Sequence, residues 1–360
     1  MTSRVEQKQS LTLKDVAREA GVSAITASRA LRTPEIVSSA ARARVEAAVQ
    51  TLGYVPNPAA QALASARSRV LGVIIPSVTN QIFADFMAGV MDATEGEALQ
   101  PQFANTRYRL QREVELLRLF ATQRPAGMVV TGIDQSPEAR RIIEEMGCPV
   151  VQVLEVNADP IDMMIGCDQT EAGRCAVRHL IEQGYRRIGF LGARMDPRAQ
   201  RRLAGYRDVL ASAGLDDPAL IVTTPQASSA SLGGRLMADL LAIAPDVDAV
   251  FCNNDDVALG ALFECQRRGI RVPNQVGIVG FNDLDVVSVS VPSITSVRTH
   301  RYEMGAQAVR MIAAAIGGRR PDPAVIDQGF ALMVRQSTQR HEASGGPNVV
   351  AEEPAVSERG

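Results

Sequence analysis

Apolar positions along this chain follow two different periods. Between Thr12 and Leu31 small apolar residues recur at helical spacing, Val16, Ala17 and Ala20 first and Ala27, Ala30 and Leu31 after a break. The spacing predicts two short helices, each with one inward face. Thr12 is placed to cap the first and Asp15 to answer it three residues on. Gly21 supplies a left-handed residue at the first helix end, and Ser23 caps the second helix. Ala24, Ile25, Thr26, Ser28 and Arg29 are then left outward. Such a pair of helices is the shape that lays one helix in a DNA major groove, and an ordinary helical hairpin shares the same spacing. A third helix is predicted from Ser38 to Leu52, capped by Ser38 or Ser39, striped by Val45, Ala48, Val49 and Leu52, and ended by Gly53. Next come Asn57 as a cap, Pro58 at a first helical position and the alanine-rich run to Ala66. About eight to ten residues are too few for a stable isolated helix, so this segment is expected to coil conditionally, when a partner orders it.

From Val70 the pattern changes to short continuous apolar runs, as in parallel strands covered on both faces. These are Val70–Pro76, Gly127–Thr131, Pro149–Val153, Arg187–Gly192, Leu220–Thr223, Ala249–Cys252 and Val276–Phe281. Helical stretches alternate with them: one carrying Phe83, Met87, Val90 and Met91, then Gln111–Thr122, Glu138–Met146, Ala172–Gln183, Arg201–Ala213, Ser228–Leu241 and Val257–Arg268. Two successive sets of β–α–β units predict two doubly wound lobes with a cleft between them. Ligands in such folds sit beyond the carboxyl ends of the strands. That singles out Ser77–Phe83, Thr131–Asp134, Glu155, Asp168, Arg194–Arg202, Asn253–Asp255 and Asn282.

Charge sharpens the division. Residues 1–69 hold ten Lys and Arg against five acids, a net +5 on a chain whose total is −2, which leaves −7 for the rest. A basic front module on an acidic body suits a polyanionic partner for the front alone. No apolar run reaches the roughly 20 residues of a membrane helix. The N-terminus carries no secretory pattern, so a cytoplasmic protein is expected. The five cysteines (Cys148, Cys167, Cys175, Cys252, Cys265) lack metal or disulfide spacing and read as free thiols. No metal and no cofactor are expected. The boundaries that follow are a flexible 1–10, a DNA-binding domain at 11–56, a hinge at 57–68, a two-lobed domain at 69–340 and a disordered tail at 341–360.

The helix-turn-helix, Tyr54-Val-Pro-Asn57 with Gln61, Leu63 and Ala64, and Arg202-Leu-Ala-Gly-Tyr206 resemble the lac repressor and purine repressor family. So do Cys252-Asn-Asn-Asp-Asp-Val-Ala-Leu-Gly-Ala261 and Val276-Gly-Ile-Val-Gly-Phe-Asn-Asp283. Gly72–Phe83, Gly192-Ala-Arg194 and Phe263–Arg267 look most like its gluconate-responsive branch. The resemblance implies an all-α headpiece with a hinge helix, followed by an α/β periplasmic-binding-protein-like core of two parallel-sheet lobes. The chain would cross back between them after Asp283. It implies a homodimer or tetramer on a near-palindromic operator, with Leu63 entering the minor groove and a small effector switching affinity. Matching DNA contacts are Thr12, Ser23, Ala24, Ile25, Thr26, Ser28, Arg29, Tyr54, Asn57 and Ala60.

The chemistry of these residues fits those roles. Arg29 can bond bidentately to guanine, while Ser23, Thr26 and Ser28 are short donors suited to phosphate. Ala24 and Ile25 offer apolar contact alone. Leu63 between base steps would kink the duplex. In the cleft Arg202 is the leading ligand contact, matching the family's ligand-binding arginine and offering a guanidinium fork to a carboxylate or paired hydroxyls; an inter-lobe salt bridge is its alternative. Arg198 either joins it or faces water. Asn80, Glu155, Asn254 and Asn282 suit polyol hydroxyls, Phe83 either covers a ligand or packs in the core, and Asp168 and Asp255 serve as contacts or helix caps. A sugar acid such as gluconate is the expected effector, and a repressor of a sugar-acid operon the expected function. Against a sugar-processing enzyme stand the missing GxGxxG, Walker and GxSxG motifs and the scattered His179, His300 and His341. A secreted sugar-binding protein is opposed by the basic headpiece.

Overall fold

The computed structural model describes residues 11–32, 34–54 and 68–340, and the chain divides into two compact units, through Ser68 and from Arg69. In the first, α1 (Leu13–Glu19), α2 (Ala24–Arg32), a 3-10 turn (Pro34–Ile36) and α3 (Ser39–Leu52) enclose a small core. Val16, Ala17, Ala20, Ala27, Ala30, Val45, Ala48 and Tyr54 form it. The inward faces are those the spacing predicts. Thr12 donates from both its N–H and its hydroxyl to Asp15 (2.9 and 2.7 Å), and the Ser38 hydroxyl accepts from the Ala41 N–H. Gly21 and Gly53 both take φ +61°, the left-handed turn that ends a helix at little cost only in glycine. Predicted residues 57–67 of the conditional helix and both chain ends lie outside the described residues.

The second unit holds two six-stranded sheets. One contains β1 (Val70–Ile75), β2 (Gln100–Asn105), β3 (Gly127–Thr131), β4 (Val150–Glu155), β5 (Met163–Cys167) and β11 (Val325–Asp327), in the order β11-β5-β4-β3-β1-β2, all parallel. The other contains β6 (Ile188–Ala193), β7 (Ile221–Thr224), β8 (Ala249–Cys252), β9 (Gly277–Asn282), β10 (Thr295–Thr299) and β12 (Phe330–Met333), in the order β12-β10-β9-β8-β6-β7. Only β12 runs antiparallel to its neighbour there.

Helices cover both faces of each sheet, so strand residues alternate between two cores. In lobe 1, α4 (Ile82–Thr94) and α12 (Arg301–Ile316) pack on Val73 and Ile75, while α5 (Leu110–Thr122) and α6 (Pro137–Glu145) pack on Ile74. In lobe 2, α9 (Ala230–Ile243) and α10 (Asp255–Arg267) cover Leu191 and Val250. On the opposite face α7 (Gln169–Glu182) and α8 (Pro197–Ser212) cover Phe190 and Phe251. A short α11 (Asp285–Val289) follows β9.

Both lobes are discontinuous, as expected, with three crossings: Cys167 to Gln169, Thr299 to Arg301, and Asp327 to Phe330. The return comes at His300, after β10, rather than directly after Asp283. Arg301 sits at that crossing, pairing with Asp85 of α4 (2.7 Å) and donating to the Asn282 carbonyl at the end of β9.

Some predicted boundaries and several elements differ. The helix predicted from Arg201 begins at Pro197, because Asp196 caps it through the Ala199 N–H and Pro197 needs no hydrogen-bond acceptor at that position. β2 is polar and contains Pro101, as an edge strand can, and so gave no apolar run. β5, β10, α11, α12, β11 and β12 were likewise not predicted.

Candidate functional site

Two surfaces carry chemistry. On the headpiece, α2 turns Ala24, Ile25 and Arg29 to solvent, with Ile25 65% exposed, and leaves Thr26 and Ser28 half-buried. The Ser23 hydroxyl accepts from the Thr26 N–H (3.1 Å) and lies 2.9 Å from the Thr26 hydroxyl, so both polar groups are held at the helix start. Tyr54 differs from its predicted placement: its ring lies in the headpiece core, because the chain turns inward after Gly53. Asn57, Ala60 and Leu63 lie outside the described residues.

In the second unit a cavity of about 460 Å³ opens at the carboxyl ends of the strands. Its walls come from both lobes: Tyr108 and Glu113 after β2, Gln135 after β3 and Glu155 ending β4, opposed by Arg194 and Arg198 after β6. Glu155 is fully buried. Its Oε1 accepts from Arg201 (2.7 Å), which also pairs with Asp134, while Oε2 has no partner. Burial raises the Glu155 pKa, and Arg198 and Arg201 only partly offset it. Glu113 is pushed up to about 7 by burial, against a hydrogen bond from Gln135. These walls present a buried carboxylate acceptor, a protonatable acid and two guanidinium groups.

Arg198 does not face water. It is buried, 3.5 Å from Asp196, with its Nη1 unpartnered and its guanidinium 5.9 Å from the Phe83 ring centre. Burial works against its charge, but Asp196 and Glu155 outweigh that and hold its pKa above the usual arginine value. Asp196 in turn is kept below the usual carboxylate range, because Arg198 and Arg202 overcome its burial.

Other predicted contacts are engaged within the protein. Arg202 donates Nε to Gln169 (2.8 Å) and Nη1 to the Asn253 carbonyl (2.7 Å), and stacks 3.6 Å over Phe281. Those bonds are neither a salt bridge nor an opening to the cavity, and burial brings its pKa down to about 10. The contact is fixed by backbone: a Cβ on Gly173 would meet the Arg202 carbonyl at 2.5 Å, and one on Gly205 the Thr170 carbonyl at 2.1 Å. Only glycine lets α7 and α8 approach this closely.

Phe83 is fully buried in the lobe 1 core. Asn254 caps α10 through the Val257 N–H (3.1 Å), and Asp168 caps α7 through the Thr170 and Glu171 N–H groups. Asp255 is not a cap. It is buried, accepts from the Leu284 N–H (2.7 Å) and the Ser296 hydroxyl (2.6 Å), and burial raises its pKa to about 7. Asn80 bonds its own loop at Ile82 and donates to the Tyr108 hydroxyl (3.4 Å). Asn282 is buried at the end of β9 with φ +106°.

Tyr108, Glu113 and Gln135 were missed by sequence reasoning. The first two follow a strand whose polar composition hid it. Gln135 stands one residue beyond the Thr131–Asp134 window.

Comparison with known proteins finds matches for both units of the chain. The family described as "Bacterial regulatory proteins, lacI family" matches residues 12–57, and "Periplasmic binding protein-like domain" matches residues 177–338. The HTH-type transcriptional regulator GntR of Pseudomonas aeruginosa is 41% identical over 91% of this chain and 95% of its own. The Escherichia coli regulator of the same name is 38% identical over 91% and 98%. A LacI-family transcriptional regulator of Silicibacter pomeroyi, of known structure, superposes with a TM-score of 0.85 at 34% identity, over 92% of this chain and all of that one. Among the described residues no helix is long and apolar enough to cross a membrane.

Proposed function

Because this chain belongs to the lacI family of bacterial regulatory proteins, and is thus a DNA-binding transcriptional regulator and not an enzyme, we propose that it represses a sugar-acid catabolic operon and releases DNA when a free aldonate such as gluconate enters the cleft. The observation that carries this reading is a pair of orphaned buried atoms on one cavity: the Arg198 Nη1 donor and the Glu155 Oε2 acceptor. A buried donor or acceptor without a partner costs about 1–3 kcal/mol, more when charged. A ligand carrying both a carboxylate and hydroxyl groups satisfies both at once. A cavity of about 460 Å³ suits a six-carbon acid with ordered water. Arg202, one turn along the same helix from Arg198, backs this site and reaches the ligand if Gln169 and Asn253 release it. Asn80, Asn254 and Asn282 serve by shaping the loops around it, and Phe83 by supporting Arg198.

On DNA, α2 enters the major groove of a near-palindromic operator as part of a homodimer or tetramer acting in the cytoplasm. Arg29 reads guanine, Ile25 and Ala24 meet apolar base edges, and Thr12, Ser23, Thr26 and Ser28 contact phosphate. Tyr54 supports the headpiece from within. Asn57 and Ala60 extend the contact, and Leu63 wedges into the minor groove.

Calorimetric titration with gluconate, ketogluconates, idonate and neutral sugars, with and without a palindromic operator, tests the proposal. Aldonate binding that weakens operator affinity supports it. Absence of aldonate binding, or unchanged binding in Arg198→Ala, overturns the effector assignment.

A further inference from the structure

Lobe 2 reaches across the cleft with arginines, and lobe 1 receives them with aromatic rings and carboxylates. Arg201 bridges to Asp134 and Glu155, Arg198 lies near the Phe83 ring, and the Arg194 guanidinium stacks 4.0 Å over the ring of Tyr108. Of the three, Arg194 stands apart. Arg201 has two acidic partners and Arg198 has Asp196, whereas among the described residues Arg194 pairs with no carboxylate. Its Nε is buried without a hydrogen-bond partner, and it lines the same cavity as Arg198.

The backbone on both sides of this stack lies in the left-handed region. Arg107 and Tyr108 have φ +53° and +58°, and Arg194 and Met195 have φ +65° and +43°. Bulky residues persist there only where the surroundings over-determine them, and such positions gather at ligand clamps and switches. Tyr108 is further held by the amide of Asn80 from the loop after β1 (3.4 Å). Two strained loops from different lobes thus meet through one cation–π contact, and the cation still has a donor to give.

We infer that Arg194 is a specificity-determining residue of the cleft: its stack on Tyr108 latches lobe 2 to lobe 1, and its spare Nε takes the effector's carboxylate together with Arg198. The anion half of this inference rests on the aldonate assignment, and the latch half does not. Arg198 is already neutralised by Asp196 and Glu155, so the charge that an incoming anion compensates belongs to Arg194. A neutral polyol gains nothing from it. The residue therefore ties ligand charge to lobe closure.

The test uses the full-length protein with gluconate and glucitol as probes. Arg194→Gln is expected to weaken gluconate binding tenfold or more, and by a clearly larger factor than any loss of glucitol binding. Arg194→Lys should recover part of the gluconate affinity. Gluconate affinity unchanged in Arg194→Gln, or equal losses for both probes, overturns the anion role. In the ligand-free protein, spin labels at the exposed positions Glu145 of lobe 1 and Arg207 of lobe 2 report lobe spacing. Tyr108→Leu and Arg194→Gln should each widen it, the double variant no further, and Tyr108→Phe not at all. Additive widening, or none, overturns the latch. If the unsubstituted protein binds no gluconate, the aldonate assignment and the anion role fall together, and the spacing measurement still decides the latch.

Discussion

The headpiece and the two-lobed body bury their interiors in opposite ways, and their function faces opposite directions as a result. The headpiece core is mostly alanine and valine, so three helices approach closely and the long side chains of Ile25 and Arg29 on α2 are left outward. The body buries large side chains, Phe83, Phe190, Tyr206 and Phe251 among them, and then also buries charge: Glu155, Arg198 and Arg202. An outward group is solvated before it binds and needs no neighbour to compensate it, so it acts nearly alone. A buried charge must be compensated by its neighbours, so each group in the cleft depends on the others. Modular recognition on one side and coupled recognition on the other follow from packing.

Substitutions can break this contrast. The largest expected effect is Arg198→Ala, which removes a buried charged donor from the cavity and takes away the ion-pair partner of Asp196. Aldonate affinity should fall about a hundredfold or more, corresponding to roughly 2–4 kcal/mol, with effector-free operator binding unchanged by gel shift. Arg29→Ala is the mirror experiment. Operator affinity should drop by about 1–3 kcal/mol with relaxed preference at one base pair, and calorimetry should find effector affinity intact. Loss of both functions from either substitution would break the division.

A third effect comes from pH. Glu113 and Asp255 have pKa values raised to about 7 in the fold, above their ordinary 4.5 and 3.8. Between those values the folded protein holds protons that the unfolded chain has lost. The contribution of these two groups to stability therefore falls as pH rises from about 4 to about 7, by several kcal/mol in all. Urea midpoints of the body across that range should decline, and Glu113→Gln should flatten part of the slope. Smallest is Ile25→Ala. Losing one exposed apolar contact should weaken operator binding by about 0.5–1 kcal/mol without altering headpiece melting. A lowered melting temperature would mean that Ile25 packs inward.

The same contrast explains what could be read from the chain. Helical spacing gave α1, α2 and α3 with their inward faces because that core is local: Val16, Ala27 and Val45 lie within 30 residues. Apolar runs gave seven strands because buried parallel strands carry their own signature. They missed β2, whose edge position tolerates Pro101, and with it Tyr108 and Glu113. Arg198 and Glu155 were legible as strand-end residues. Which of Arg198 and Arg202 meets the cavity was not, because that depends on Gln169 and Asn253 being nearby, and on Gly173 and Gly205 bringing α7 against α8. Of the two readings left open for Asp255, contact or cap, the cap fails because Asn254, one residue earlier, takes that place.

The three passages of backbone between the lobes, at Asp168, His300 and Gln328, have a mechanical consequence. A single connection would let one half swivel freely, whereas three side by side resist twist and sideways slip and permit bending about one axis. Proteolytic cleavage at any one of them would leave two intact, and the halves would still open and shut along the same arc.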